Sequence, residues 1–73
     1  MVKITPSTAS VAHGGSTQQF LSSDPFVEWS VGPETDSKID SKGLLTSGIN
    51  TGTVYVTATR YDGGQGTATV TIT

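Results

Sequence analysis

The sequence of 73 residues contains no cysteine, so neither a disulfide nor a thiolate metal site can stabilise it. A chain of this length forms one small domain and leaves no room for a separate catalytic domain or a deep cofactor cleft. The sequence therefore predicts a single domain over residues 1–73 that folds by packing alone and needs no cofactor.

Positive charge is also scarce, with four Lys and Arg residues against six Asp and Glu, which gives a formal net charge of -2. The four cations, Lys3, Lys38, Lys42 and Arg60, are scattered, whereas binding to nucleic-acid phosphates needs clustered cations. No hydrophobic run reaches membrane-spanning length, and no basic amphipathic helix is indicated. We therefore expect neither a nucleic-acid partner nor insertion into a membrane.

The start of the chain, MVKITPS, has no apolar signal segment. This fits a chain that assembles without secretion, and it equally fits a piece of a longer protein.

The last third of the sequence carries the clearest structural pattern. Val54, Val56 and Ala58 alternate with polar residues, then a glycine-rich segment covers 62–66, and alternation resumes from 67 to 73. Period-two alternation on both sides of a glycine-rich turn predicts a β-hairpin with one buried and one exposed face.

Shorter alternating segments precede this hairpin, at 2–5, around Val11, and at 16–23, 26–31 and 44–46. Turn residues separate them, and no window shows helical periodicity. The pattern predicts an all-β antiparallel sandwich of about seven strands, with 26–31 as a central strand. The predicted core consists of Val2, Ile4, Val11, Phe20, Val27, Trp29, Val31, Ile39, Leu45, Val54, Val56, Ala58, Val70 and Ile72.

Several segments together resemble the bacterial immunoglobulin-like group 2 domain, often called Big2. The matching segments are Val2–Pro6, Gly14–Phe20, Val27–Ser30, Ile39–Thr46 and Gly52–Thr59, in the order typical of that family. The resemblance covers nearly the whole chain, and it departs from the family pattern at Ser22–Pro25, where the link to the tryptophan strand is short. It implies an immunoglobulin-like sandwich, here without the disulfide between the sheets.

The resemblance also implies a role, that of a non-enzymatic accessory domain. We expect such a domain on a phage tail or capsid protein or on a bacterial surface protein, hence on the virion surface or outside the bacterial cell. Its expected partner is bacterial cell-surface polysaccharide, which it would bind weakly and in many copies. Two alternatives stay open, a spacer or stalk without a ligand and a module that docks proteins by strand addition at a sheet edge.

Three aromatic residues are the candidates for ligand binding. Tyr55 and Tyr61 fall on the outward parity of the penultimate strand among threonines, and Phe26 lies outward near a loop. Tyrosine rings beside hydroxyl groups can stack on sugar rings, although surface aromatics also pack across strands without any ligand.

No residue pattern indicates catalysis or a metal site. His13, the single histidine, lies beside two glycines and has no nucleophile motif to serve. Asp36 and Asp40 flank Lys38 without the spacing of a calcium loop, and Asp40 is expected to cap its own turn. The sequence therefore predicts neither catalytic residues nor metal ligands.

Overall fold

The computed structural model describes residues 2–24, 26–32 and 36–73, which form nine strands and no helix. The strands are β1 (Ile4–Thr5), β2 (Thr8–Val11), β3 (Thr17–Gln19), β4 (Leu21–Ser22), β5 (Val27–Gly32), β6 (Lys38–Ile39), β7 (Leu44–Thr46), β8 (Gly52–Arg60) and β9 (Gln65–Ile72). The all-β prediction is confirmed. The number of strands exceeds the predicted seven, partly because 16–23 divides at Phe20 into β3 and β4.

The predicted hairpin is the centre of the largest sheet. β8 and β9 pair antiparallel from Gly52 opposite Ile72 to Thr59 opposite Gln65. The Arg60 N–H closes the turn by donating to the Gly64 carbonyl at 2.7 Å. β5 pairs with β8 and β2 with β9, so the strand order is β2-β9-β8-β5.

The pairing of β2 with β9 is parallel, with Thr8 opposite Thr69 and Val11 opposite Ile72. The prediction of a wholly antiparallel arrangement is therefore wrong for this pair. Alternation along β2 specifies which side chains face the core, but it does not specify the direction of a partner strand at the far end of the chain.

Two smaller sheets, β1-β4 and β3-β7-β6, complete the fold. Phe20 links them, since it lies between β3 and β4 and its N–H donates to the Gly43 carbonyl at 2.8 Å. Side chains from all three sheets share one core, which gives the molecule a sandwich-like form. The buried apolar residues are Val2, Ile4, Val11, Phe20, Leu45, Val54, Val56, Ala58, Ala68, Val70 and Ile72.

The predicted core is mostly confirmed, with one difference at its edge. Val27, Trp29, Val31 and Ile39 are only half-buried and pack against the core, whereas Ala68 belongs to it. The first three lie on β5, which is an edge strand and not the predicted central one. A strand with one neighbour leaves part of its side chains open to solvent, so Phe20 is the fully buried aromatic residue.

The turn between β6 and β7 has the predicted form. The carboxylate of Asp40 accepts hydrogen bonds from the Lys42 N–H at 2.8 Å and the Leu44 N–H at 3.0 Å. Gly43 has φ +80°, a conformation that glycine adopts without steric cost. This turn positions Lys42 and Gly43 beside Trp29.

Candidate functional site

The register of β5 against β8 brings two of the three candidate aromatics to the same end of the sheet. Val27 lies opposite Arg60, so Phe26 immediately precedes one strand end and Tyr61 immediately follows the other. Phe26 is 77% exposed and Tyr61 is 89% exposed. Both side chains are therefore available to a ligand at one location.

An open depression of about 400 Å³ lies between them. Its lining residues are Phe26, Val27, Glu28, Thr59, Arg60 and Tyr61. We call this depression the Phe26–Tyr61 site. It combines two exposed rings with a carboxylate, a hydroxyl and a guanidinium.

Two carboxylates hold the guanidinium group of Arg60 in place at this site. Its Nε lies 2.9 Å from Asp24 Oδ2, and its terminal nitrogen lies 3.5 Å from Asp62 Oδ2. The Nε–H is buried and not aligned with Asp24 as a hydrogen bond requires, so this contact is an ion pair. Asp24 also accepts the Phe26 N–H at 2.8 Å and thereby ties the backbone at Phe26 to Arg60.

The second carboxylate near Arg60 is itself held by the hairpin turn. Asp62 accepts the Gly64 N–H at 3.0 Å, and this hydrogen bond is the main reason that its pKa lies below the ordinary value of 3.8. Asp62 is therefore ionised at neutral pH, and the guanidinium has an anionic neighbour on two sides.

Glu28 has no such partner. Its carboxylate makes no hydrogen bond or ion pair with any other residue of 2–24, 26–32 and 36–73. It is exposed on β5 beside Thr59, the residue opposite it on β8. Glu28 is therefore free to accept hydrogen bonds from a ligand.

Tyr55 lies apart from the other two aromatics. It is opposite Thr69 and Gly32, five residues along β8 from Arg60, or about 17 Å at the usual rise per residue. It is 45% exposed. The structure thus groups Phe26 with Tyr61 and separates Tyr55, so the three do not form one surface.

The remaining residues with reactive or metal-binding side chains have structural roles. His13 is exposed, and its Nδ1 lies 2.9 Å from the Thr73 carbonyl oxygen. Asp36 accepts the N–H groups of Ile49 at 2.8 Å and Asn50 at 3.4 Å. Within the described part of the chain, no group of three His, Asp or Glu side chains could hold a metal ion, and no helix is long and apolar enough to span a membrane.

The sequence prediction missed Glu28, Thr59 and Arg60 as members of the site. The available signal was charge, because Asp24 and Arg60 have opposite charges and lie within two residues of Phe26 and Tyr61. The sequence did not show that β5 and β8 are neighbours. Without that pairing, Asp24 and Phe26 have no visible relation to Arg60 and Tyr61.

The sequence matches no protein-family model, and no curated protein shows significant similarity to it. The site and the segments that carry the family resemblance are therefore the basis for a functional proposal.

Proposed function

We propose that the chain is an immunoglobulin-like accessory domain of the bacterial group 2 type, without enzymatic activity, that binds cell-surface glycans weakly. It would be displayed on a phage structural protein or a bacterial surface protein. The observation that carries this proposal is the grouping of two exposed aromatic rings, Phe26 and Tyr61, around one open depression.

The fold supports the immunoglobulin-like part of the proposal. The segment Ile39–Thr46, which is specific to the family only in combination with Gly52–Thr59, covers the end of β6, the Asp40 turn and β7. The segment Gly52–Thr59 lies in β8, at the centre of the largest sheet. Both segments thus occupy regular structure around a common core.

The chemistry of the site supports a sugar ligand. Aromatic rings offer flat apolar faces to the C–H groups of a sugar ring, and nearby polar side chains can bond its hydroxyls. Glu28 supplies acceptors, while Arg60 and Thr59 supply donors. Because the depression is open, each copy would bind weakly, and display of many copies would raise the effective affinity.

An NMR titration of the labelled domain with purified bacterial surface polysaccharide tests the proposal. We expect localised shifts around Phe26 and Tyr61, and a loss of affinity of about tenfold in Tyr61→Ala or Phe26→Ala. Tyr55→Ala is the matched control and should bind like the wild type. Absence of any shift at sugar concentrations of about 1 mM and above would contradict the proposal.

A spacer role is the second candidate, and two geometric observations favour it. The molecule measures 33 × 20 × 17 Å and is therefore elongated, which is the shape of a unit in a rod-like stalk. Val2 lies against Gly66 near the β8–β9 turn, whereas Ile72 pairs with Gly52 at the opposite end of these strands. A spacer would show no saccharide-induced shift at any aromatic residue, and two fused copies would scatter X-rays as an elongated particle.

A further inference from the structure

A second opening, also lined by Val27, lies at the edge of β5 that faces away from β8. It has a volume of about 220 Å³. Its apolar lining includes Phe20, Val27 and Trp29, and its polar lining includes Asp24, Ser41 and Lys42. We call it the Trp29 pocket.

The indole ring of Trp29 is supported on one side and accessible on another. A Cβ added at Gly43 would lie 2.9 Å from both Cε2 and Cζ2 of the ring, so the ring packs directly on the backbone of the β6–β7 turn. Trp29 is nevertheless only half-buried. Its indole N–H donates to no other residue within the described ranges.

The polar groups of the Trp29 pocket are close to charge balance. Lys42 forms no ion pair within 4.0 Å among the described residues, and Asp40 is the nearest carboxylate along its turn. Asp24 is paired with Arg60. The formal charges of Lys42 and Asp24 cancel, and the pocket offers an ammonium donor and hydroxyl groups to a ligand.

The Trp29 pocket and the Phe26–Tyr61 site meet at Val27, which lines both. The Asp24–Arg60 ion pair crosses the same boundary, because Asp24 lines the pocket and Arg60 lines the site. The backbone positions of Phe26 and Trp29 are three residues apart, which corresponds to about 10 Å of extended chain. A chain longer than one sugar ring can therefore contact both.

The backbone at this boundary is also available for hydrogen bonding. Arg60 uses its N–H and C=O within the β8–β9 turn, where they bond Gly64 and Gly63. Directly opposite residues of an antiparallel pair either exchange both hydrogen bonds or exchange none. The N–H and C=O of Val27 therefore face away from β8, toward the edge at which no described strand pairs with β5.

We propose that the Trp29 pocket is a second subsite of the Phe26–Tyr61 site, and that the ligand is a neutral oligosaccharide that crosses the edge of β5. This rests on the proposed glycan-binding function. Sugar hydroxyls both donate and accept, so they match a mixed set of ammonium, carboxylate, hydroxyl and backbone groups. A site near charge balance gives no advantage to an acidic sugar.

The single tryptophan of the chain makes the subsite directly observable. The domain is titrated with neutral oligosaccharides of increasing length, prepared from a bacterial surface polysaccharide, while tryptophan fluorescence and the NMR signals of Trp29 and Tyr61 are followed. We expect the longer fragments to move the Trp29 indole signal and to bind about tenfold more tightly than the shortest.

Variants separate the subsite from the rest of the surface. Lys42→Ala and Trp29→Phe should remove most of the gain in affinity with length, whereas Lys38→Ala, a lysine on β6 outside the pocket, should not. If Trp29→Phe does not fold, the effect of Lys42→Ala on the gain in affinity with oligosaccharide length decides whether the pocket is a subsite. Shifts at Tyr61 with length-independent affinity and no change at Trp29 would overturn the subsite and leave the proposed function standing. No change at either residue would overturn both.

Discussion

Trp29 and Gly43 are in direct packing contact, and the absence of a side chain at Gly43 makes this contact possible. A Cβ at residue 43 would lie 2.9 Å from two atoms of the indole ring and 2.7 Å from the carbonyl oxygen of Phe20. The β6–β7 turn, the edge strand β5 and the link between β3 and β4 therefore converge at one glycine.

Replacement of Gly43 by alanine should destabilise the domain by about 2–4 kcal/mol, because a left-handed conformation and a steric clash add. Gly14→Ala is the matched control, since Gly14 has a similar φ of +89° and no atom within 4 Å of the added methyl group. It should cost only about 1–2 kcal/mol. Urea unfolding measures both, and equal costs would show that the contact with Trp29 adds nothing.

Phe20 in the core and Trp29 at its edge should differ in their contribution to stability. Phe20 is fully buried, so Phe20→Ala should cost about 3–5 kcal/mol. Trp29 is half-buried, so Trp29→Ala should cost less, about 1–3 kcal/mol, although its side chain is larger. Thermal and urea unfolding of the two variants measure which substitution costs more stability. A larger loss for Trp29→Ala than for Phe20→Ala would contradict this order.

Asp36 and Gly48 should be energetically coupled. A methyl group at residue 48 would clash with the Asp36 carboxylate, which accepts the N–H groups of Ile49 and Asn50. Gly48→Ala should cost about 1–3 kcal/mol in the wild type and at least about 0.5 kcal/mol less in Asp36→Ala. A double-mutant cycle by urea unfolding tests this, with Gly32→Ala, which meets no atom within 4 Å, as the uncoupled control.

The Asp40 turn should make stability depend on acid pH. Hydrogen bonds from the N–H groups of Leu44 and Lys42 hold the pKa of Asp40 below its ordinary value of 3.8. Because the folded-state pKa is the lower one, the stabilisation is complete above the unfolded-state pKa and is lost as the pH falls through the folded-state pKa.

The carboxyl signal of Asp40 in an NMR pH titration measures this directly. The difference in unfolding free energy between the wild type and Asp40→Asn should be constant near neutral pH and should shrink below about pH 4. A midpoint for Asp40 at or above 3.8 would contradict the proposed cap.

Local pattern was sufficient to predict the elements whose partners are adjacent in the sequence. The β8–β9 hairpin and the Asp40 cap both depend on residues a few positions apart. Alternation also assigned Phe20 and Val56 to the core, since it specifies the face on which a side chain lies.

Features that depend on the pairing of strands far apart in the sequence could not be predicted from local pattern. Trp29 has the alternation of a central strand, yet among the described strands β5 pairs with β8 alone. Tyr55 and Tyr61 share an outward pattern, but the register of β5 against β8 alone shows that Phe26 approaches Tyr61 and not Tyr55. The members of the candidate site were therefore partly predictable, whereas their grouping was not.

The parallel pairing of β2 and β9 has a mechanical consequence. These strands come from opposite ends of the chain and run side by side in the same direction from Thr8–Thr69 to Val11–Ile72. A force that pulls the two ends of the domain apart therefore acts along the strands. All the hydrogen bonds between β2 and β9 then bear this force at the same time and oppose the sliding of one strand past the other. An antiparallel hairpin pulled at its open end would instead lose its bonds one at a time. The pair acts as a clamp against tension along the chain.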